Sequence, residues 1–107
     1  MGYLTKYSLT ADEESSLPEN WAENISNGYL FYFSKDNYVS EEAKWYHHEV
    51  DCQNFSLKYP NALFTLKGRG EEEDDIWVKY FKNGKMQREE AEIVFPPFDE
   101  SRLRILE

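Results

Sequence analysis

At 107 residues the chain fits one domain with a self-sufficient core, and its net charge of -9 argues against a free-standing nucleic-acid binder, whose affinity rests on Lys and Arg. The same charge disfavours an anionic membrane surface, and the most hydrophobic patch, residues 29–33, is strand-sized, so a cytosolic setting is the default. One cysteine, Cys52, leaves no internal disulfide, and an aromatic content of 17% points to a core of large flat side chains.

The alternation of Tyr3, Thr5, Tyr7 and Leu9 with Leu4, Lys6 and Ser8 predicts a first strand over residues 2–10. Ser16 and Glu19 have capping-box spacing, Leu17, Trp21 and Ile25 recur every four residues, and Asn27-Gly28 supplies a stop. A short amphipathic helix over residues 17–26 follows. A second strand is expected over residues 29–34, ended by Lys35-Asp36-Asn37, while residues 38–45 carry no decisive pattern. Residues 47–59 read as a second helix with His48, Cys52, Phe55 and Tyr59 on one face, closed by Pro60-Asn61. A third strand spans residues 63–69. Residues 76–82 and 85–95 make a hairpin about Asn83-Gly84, a strong turn signal, and Pro96-Pro97 ends the sheet. The tail over residues 99–107 fits either a helical turn or a last strand. The order β-α-β-α-β-β-β predicts an α+β fold: a ferredoxin-like sandwich with two helices on one face of a largely antiparallel sheet of four or five strands.

A two-residue turn fixes the hairpin register. Lys82 faces Lys85, Phe81 faces Met86, Lys79 faces Arg88, Trp77 faces Glu90 and Asp75 faces Glu92, giving a ribbon basic at its tip and acidic at its base. Trp77, Phe81 and Met86 then share one face, and Ile76, Val78, Tyr80, Ala91 and Ile93 the other. The second set reads as the core face. Trp77 and Phe81 would then form an exposed patch of hot-spot composition, unless residues 96–106 fold over it.

The acids Glu71, Glu72, Glu73, Asp74 and Asp75 lack the alternation and central glycine of an EF-hand loop, so a solvated or protein-binding knob is the better reading. His48 and Cys52, four apart on a helix, are the alternative ligand pair, but no second pair completes a tetrahedral metal site. Nothing nominates a nucleophile with its base, and Gly68-Arg69-Gly70 precedes acids that would repel phosphate. The candidate site is therefore a protein-binding surface of Glu71, Glu72, Glu73, Asp74, Asp75, Trp77 and Phe81, with no cofactor and no metal.

The runs Lys44-Trp45-Tyr46-His47-His48-Glu49-Val50-Asp51, Phe55-Ser56-Leu57-Lys58-Tyr59-Pro60 and Leu63-Phe64-Thr65-Leu66 resemble those of small uncharacterised proteins of bacterial phages and integrated mobile elements. The likeness continues through Gly70-Glu71-Glu72, Asp75-Ile76-Trp77, Lys79 to Lys85 and Phe95 to Asp99, and residues 1–9 fit as well, about two-thirds of the chain in all. The stretch over residues 11–39 departs from the pattern, and His47 stands where an Asp would cap the second helix. The resemblance implies a ferredoxin-like fold and a phage or prophage origin, and it supplies no catalytic residues. Together with size and acidity, it leads to the expectation of a non-enzymatic accessory protein that binds a host protein with a basic surface, as an inhibitor of a bacterial defence system. The alternative is a small ligand-binding domain, metal-binding domain or enzyme using the His48/Cys52 helix. Binding of single-stranded nucleic acid through aromatic residues on the open sheet face is the weakest reading, given the charge.

Overall fold

The β-formers near the N-terminus do make a strand, and that strand lies inside the sheet rather than at its edge. The computed structural model describes residues 4–12, 16–29, 38–72 and 74–106. The elements run β1 (Thr5–Ala11), α1 (Trp21–Ile25), β2 (Tyr38–Ala43), α2 (His48–Lys58), β3 (Phe64–Arg69), β4 (Ile76–Lys82) and β5 (Lys85–Glu90), followed by a 3-10 turn at Glu100–Arg102. The strands form a sheet of order β2-β1-β3-β4-β5, and every neighbouring pair is antiparallel. This is an α+β fold. Its order makes β1 and β2 direct antiparallel neighbours, although α1 lies between them in the chain.

Period-two alternation divides the sheet into two unlike faces. Tyr7 and Leu9 of β1, Phe64 and Leu66 of β3, and Phe81 of β4 are buried together with Trp21, Ala22 and Ile25 of α1 and Cys52 and Phe55 of α2. Both helices cover this face: the rings of Trp21 and Phe55 lie 5.8 and 5.7 Å from that of Phe64. The α2 face matches the helical periodicity, with Cys52 and Phe55 buried and His48 and Tyr59 half-buried. No side chain caps α2 at His47. The first helix is shorter than its periodicity predicts, because the chain turns at Pro18, whose carbonyl accepts from Trp21 N, before α1 begins. Asn27 and Gly28, both at positive φ, end it as expected.

The hairpin register is the one fixed by the turn, from Lys82 opposite Lys85 to Trp77 opposite Glu90. Asn83 (φ 51°) and Gly84 (φ 77°) take the left-handed conformations of a type I′ turn. Helix α2 holds that turn. Gly84 N donates to Ser56 Oγ at 2.7 Å, Gln53 Nε2 donates to Gly84 O at 3.2 Å, and Leu57 packs over the glycine.

The face assignment within the hairpin is reversed. Phe81 is fully buried, Trp77 is half-buried against the core, and Ile76 is 38% exposed on the opposite face. Two features outweigh the β-branched character of Ile76 and Val78. Trp77 and Phe81 bring larger apolar areas, and Gly68, opposite Trp77 in the β3–β4 register, leaves a gap that the indole fills. A strand does occupy residues 38–43, where the sequence carries no decisive pattern, whereas the strand expected over residues 29–34 lies outside the described residues except for the exposed Tyr29.

Strand β5 stops at Glu90, five residues short of expectation. The rest of the chain leaves as an arm that covers neither face. Ile93, Val94, Phe95, Phe98, Leu103, Ile105 and Leu106 account for seven of the thirteen exposed large hydrophobic residues described. Leaving such side chains in water forgoes about 1.5–3 kcal/mol each. The radius of gyration is 17.5 Å, against about 13 Å for a compact domain of this length. Among the described residues, no helix is long and apolar enough to cross a membrane.

The Gly68 close approach yields a direct test. A Cβ at this position would overlap the Trp77 ring, so Gly68→Ala should lower stability by about 1–3 kcal/mol in urea denaturation. Adding Trp77→Leu should return part of that loss.

Candidate functional site

The chemistry-bearing residues gather in two places: beneath α2, and on the surfaces that adjoin Trp77. Under α2, Lys79 projects from β4 into the helix-covered face and is only 6% exposed. A buried ammonium needs partners. Its Nζ lies 2.9 Å from Glu49 Oε2, 2.6 Å from His48 Nε2 and 4.2 Å from the centre of the Trp77 ring. His48 stacks on Trp77 at 5.1 Å with its ring nearly parallel, and its Nδ1 lies 2.9 Å from Trp45 O. These contacts set the tautomer: Nδ1–H donates to the carbonyl, and Nε2 accepts from the ammonium. Desolvation, reinforced by the Lys79 charge, holds His48 below its ordinary pKa. The hydrogen bond from Lys79 holds the Glu49 carboxyl down as well. Around this network, Tyr7 Oη also donates to Trp45 O at 3.0 Å, and Trp45 Nε1 donates to Asp51 Oδ2 at 2.7 Å. Burial pushes the Tyr7 phenol up to about 12.

Both ring nitrogens of His48 are thus engaged within the chain. Cys52 is fully buried, with a thiol that burial holds in the protonated form. The pair presents no metal-ligating edge to solvent. Among the described residues, no group of three or more His, Cys, Asp or Glu side chains is arranged to hold a metal ion.

The expected binding residues separate. Glu71, Glu72 and Asp74 are exposed in the β3–β4 loop, Asp75 is half-buried, and Glu73 lies outside the described residues. The loop is closed by Gly70 N donating to Asp75 O at 2.8 Å and by Asp75 N donating to Glu72 O at 3.1 Å, and Glu71 accepts from Leu4 N. Glu72, Asp74, Asp75, Glu90 and Glu92 line one depression of about 600 Å3, with Trp77 at its wall. Phe81 is part of the core and reaches no surface.

The opposite, open face carries a basic feature that the linear sequence does not display. Lys6 is directly opposite Arg69, and Ser8 is opposite Lys67. With Ile76, Val78, Ala91 and the acidic Glu89 and Glu90, these residues line a cleft of about 370 Å3. Among the described residues no carboxylate lies within ion-pair distance of Lys6, Lys67 or Arg69. The Ser8 hydroxyl is buried with no hydrogen-bond partner among the described residues. The alternation within each strand contains this cluster, but only the β1–β3 pairing brings Lys6 to the β3 cations. Trp77 also lines this cleft, so the basic and acidic surfaces meet at its indole.

No protein-family model matches this chain, and no curated protein or solved structure matches it.

Two outcomes follow from the network. Glu49→Gln strands a buried ammonium and should cost about 2 kcal/mol. Lys79→Met should cost less, since it leaves a half-exposed carboxylate with Arg88 3.7 Å away. Chemical denaturation of the two variants decides the order. For pH, a depressed His48 binds its proton more weakly folded than unfolded. Its contribution is full above its unfolded value of about 6.5 and is lost as pH falls through the lower folded value. Glu49 adds a second loss below its unfolded value of about 4.5. Thermal stability should therefore fall in two steps as the pH is lowered. In Lys79→Met, the His48 ring should titrate at higher pH by NMR.

Proposed function

We propose that this chain is a non-enzymatic binding module whose acidic loop and adjoining depression engage a basic surface on a partner protein. The observation that carries this reading is the convergence of Glu72, Asp74, Asp75, Glu90 and Glu92 on one surface depression with the Trp77 indole in its wall. Gathered like charges cost stability in the free protein and create a field that steers cationic partners. A partly buried tryptophan beside them offers an apolar anchor. Phe81 drops out of the contact surface, and Trp77 stays in it.

The resemblance to small phage and mobile-element proteins supports the narrower reading. In it the partner is a host protein and the outcome is inhibition of a defence system, with the acidic surface taking the place of nucleic acid in a basic groove. The ferredoxin-like arrangement belongs to the same resemblance, and the layering of two helices on one face of an antiparallel sheet is what supports it. Engagement of both His48 nitrogens and burial of Cys52 weigh against the alternative of a ligand site on α2.

The test is affinity capture from bacterial lysate with the wild-type chain, followed by titration of the captured protein. Glu72→Lys/Glu73→Lys/Asp74→Lys should weaken binding by about tenfold or more, a loss of about 1.4 kcal/mol. Raised salt should weaken the wild-type complex. Unchanged affinity in the triple variant would remove the loop from the interface.

A further inference from the structure

The arm after Glu90 and the basic cleft on the open face are each incomplete in a single chain, and they match one another. The arm carries seven exposed large hydrophobic side chains. Between Ala91 and Glu100 it contains three carboxylates, Glu92, Asp99 and Glu100, and no cation, with Arg102 and Arg104 following. The cleft pairs an apolar lining of Ile76 and Val78 with three cations, Lys6, Lys67 and Arg69, against two carboxylates, Glu89 and Glu90, and among the described residues no ion pair engages the three cations. Lys6 stands between Glu42 of β2 and Arg69 of β3, and an anionic occupant would relieve the like-charged pairing on the β3 side.

We propose that the protein self-associates by reciprocal arm exchange, the C-terminal arm of one copy lying in the open-face cleft of a second. Position favours this occupant. Ala91, the first residue of the arm, forms part of the cleft wall. A two-fold neighbour whose cleft faces this one therefore has its own arm starting beside the site it must fill, as closed isologous contacts require. Pro96-Pro97 stiffens the arm in an extended form, so less conformational freedom is lost on docking. Arm exchange places Phe95 and Phe98 against the apolar lining, and Glu92, Asp99 and Glu100 near the three cations. Single-stranded nucleic acid satisfies only the charge. Tyr80 on the open face and Trp77 in the cleft lining are the rings it could stack on, and it leaves the arm's hydrophobic residues uncovered.

Sedimentation equilibrium of the intact chain decides the matter, and its readout does not involve the acidic β3–β4 loop, so it can fail while partner binding stands. The wild type is expected at twice the chain mass of 12.8 kDa. Phe95→Asp/Phe98→Asp should be a folded monomer whose melting temperature no longer depends on protein concentration, since both side chains are exposed in the single chain. Two further chains, Lys67→Glu/Arg69→Glu and Glu92→Lys/Asp99→Lys/Glu100→Lys, should each be monomeric alone. Mixed in equal amounts, they should form a heterodimer, because each arm then meets a cleft of opposite charge. A monomeric wild type, a dimer that survives the Phe95/Phe98 change, or no heterodimer on mixing overturns the proposal. So does a monomer that takes up oligothymidylate and loses it in the Lys67→Glu/Arg69→Glu chain.

Discussion

The Lys79 ammonium sits at 6% exposure in the middle of a three-stranded run, and the arrangement of the domain turns on it. A charge held there requires Glu49 and His48, which places the first turn of α2 over β4. Since side chains alternate along a strand, fixing Lys79 inward also fixes Trp77 and Phe81 inward. The far end of α2 is then held by the Asn83-Gly84 turn through Ser56, Gln53 and Leu57. One helix is thus pinned at its start by an ion pair and near its end by a turn, with Cys52 and Phe55 buried between.

Local rules were legible where they act locally. The hairpin register, the buried stripe of α2 and the stop at Asn27-Gly28 each depend on a few neighbouring residues, and each stands as read. The orientation of the hairpin was not legible. Alternation sorts residues into two sets but does not say which set meets the helices. The branched Ile76 and Val78 suggested one answer, and Gly68 across from Trp77, with Glu49 across from Lys79, imposed the other. A lysine inside a strand reads as a solvent-facing residue until its distant partner on α2 is known.

The candidate site was legible in part for the same reason. The acidic loop is a contiguous run and declares itself. Lys6 and Arg69 are 63 positions apart and became neighbours only through β1–β3 pairing. The net charge of -9 hides this separation, because it sums over a molecule whose sheet carries a basic open face while its β3–β4 loop is acidic. Phe81 is the converse case: it lies close to the acidic loop along the sequence, but it turns inward.

The position of β1 between β2 and β3 has a kinetic consequence. Strand β1 is internal to the sheet, and both of its neighbours are encoded downstream of it. Until residues 64–69 emerge, Tyr7 and Leu9 have no sheet to join on that side. The β3–β4–β5 meander, by contrast, closes through short local connections. Formation of the meander before capture of the N-terminal strand is the order this topology favours, and the nascent chain must shield an apolar strand in the interval.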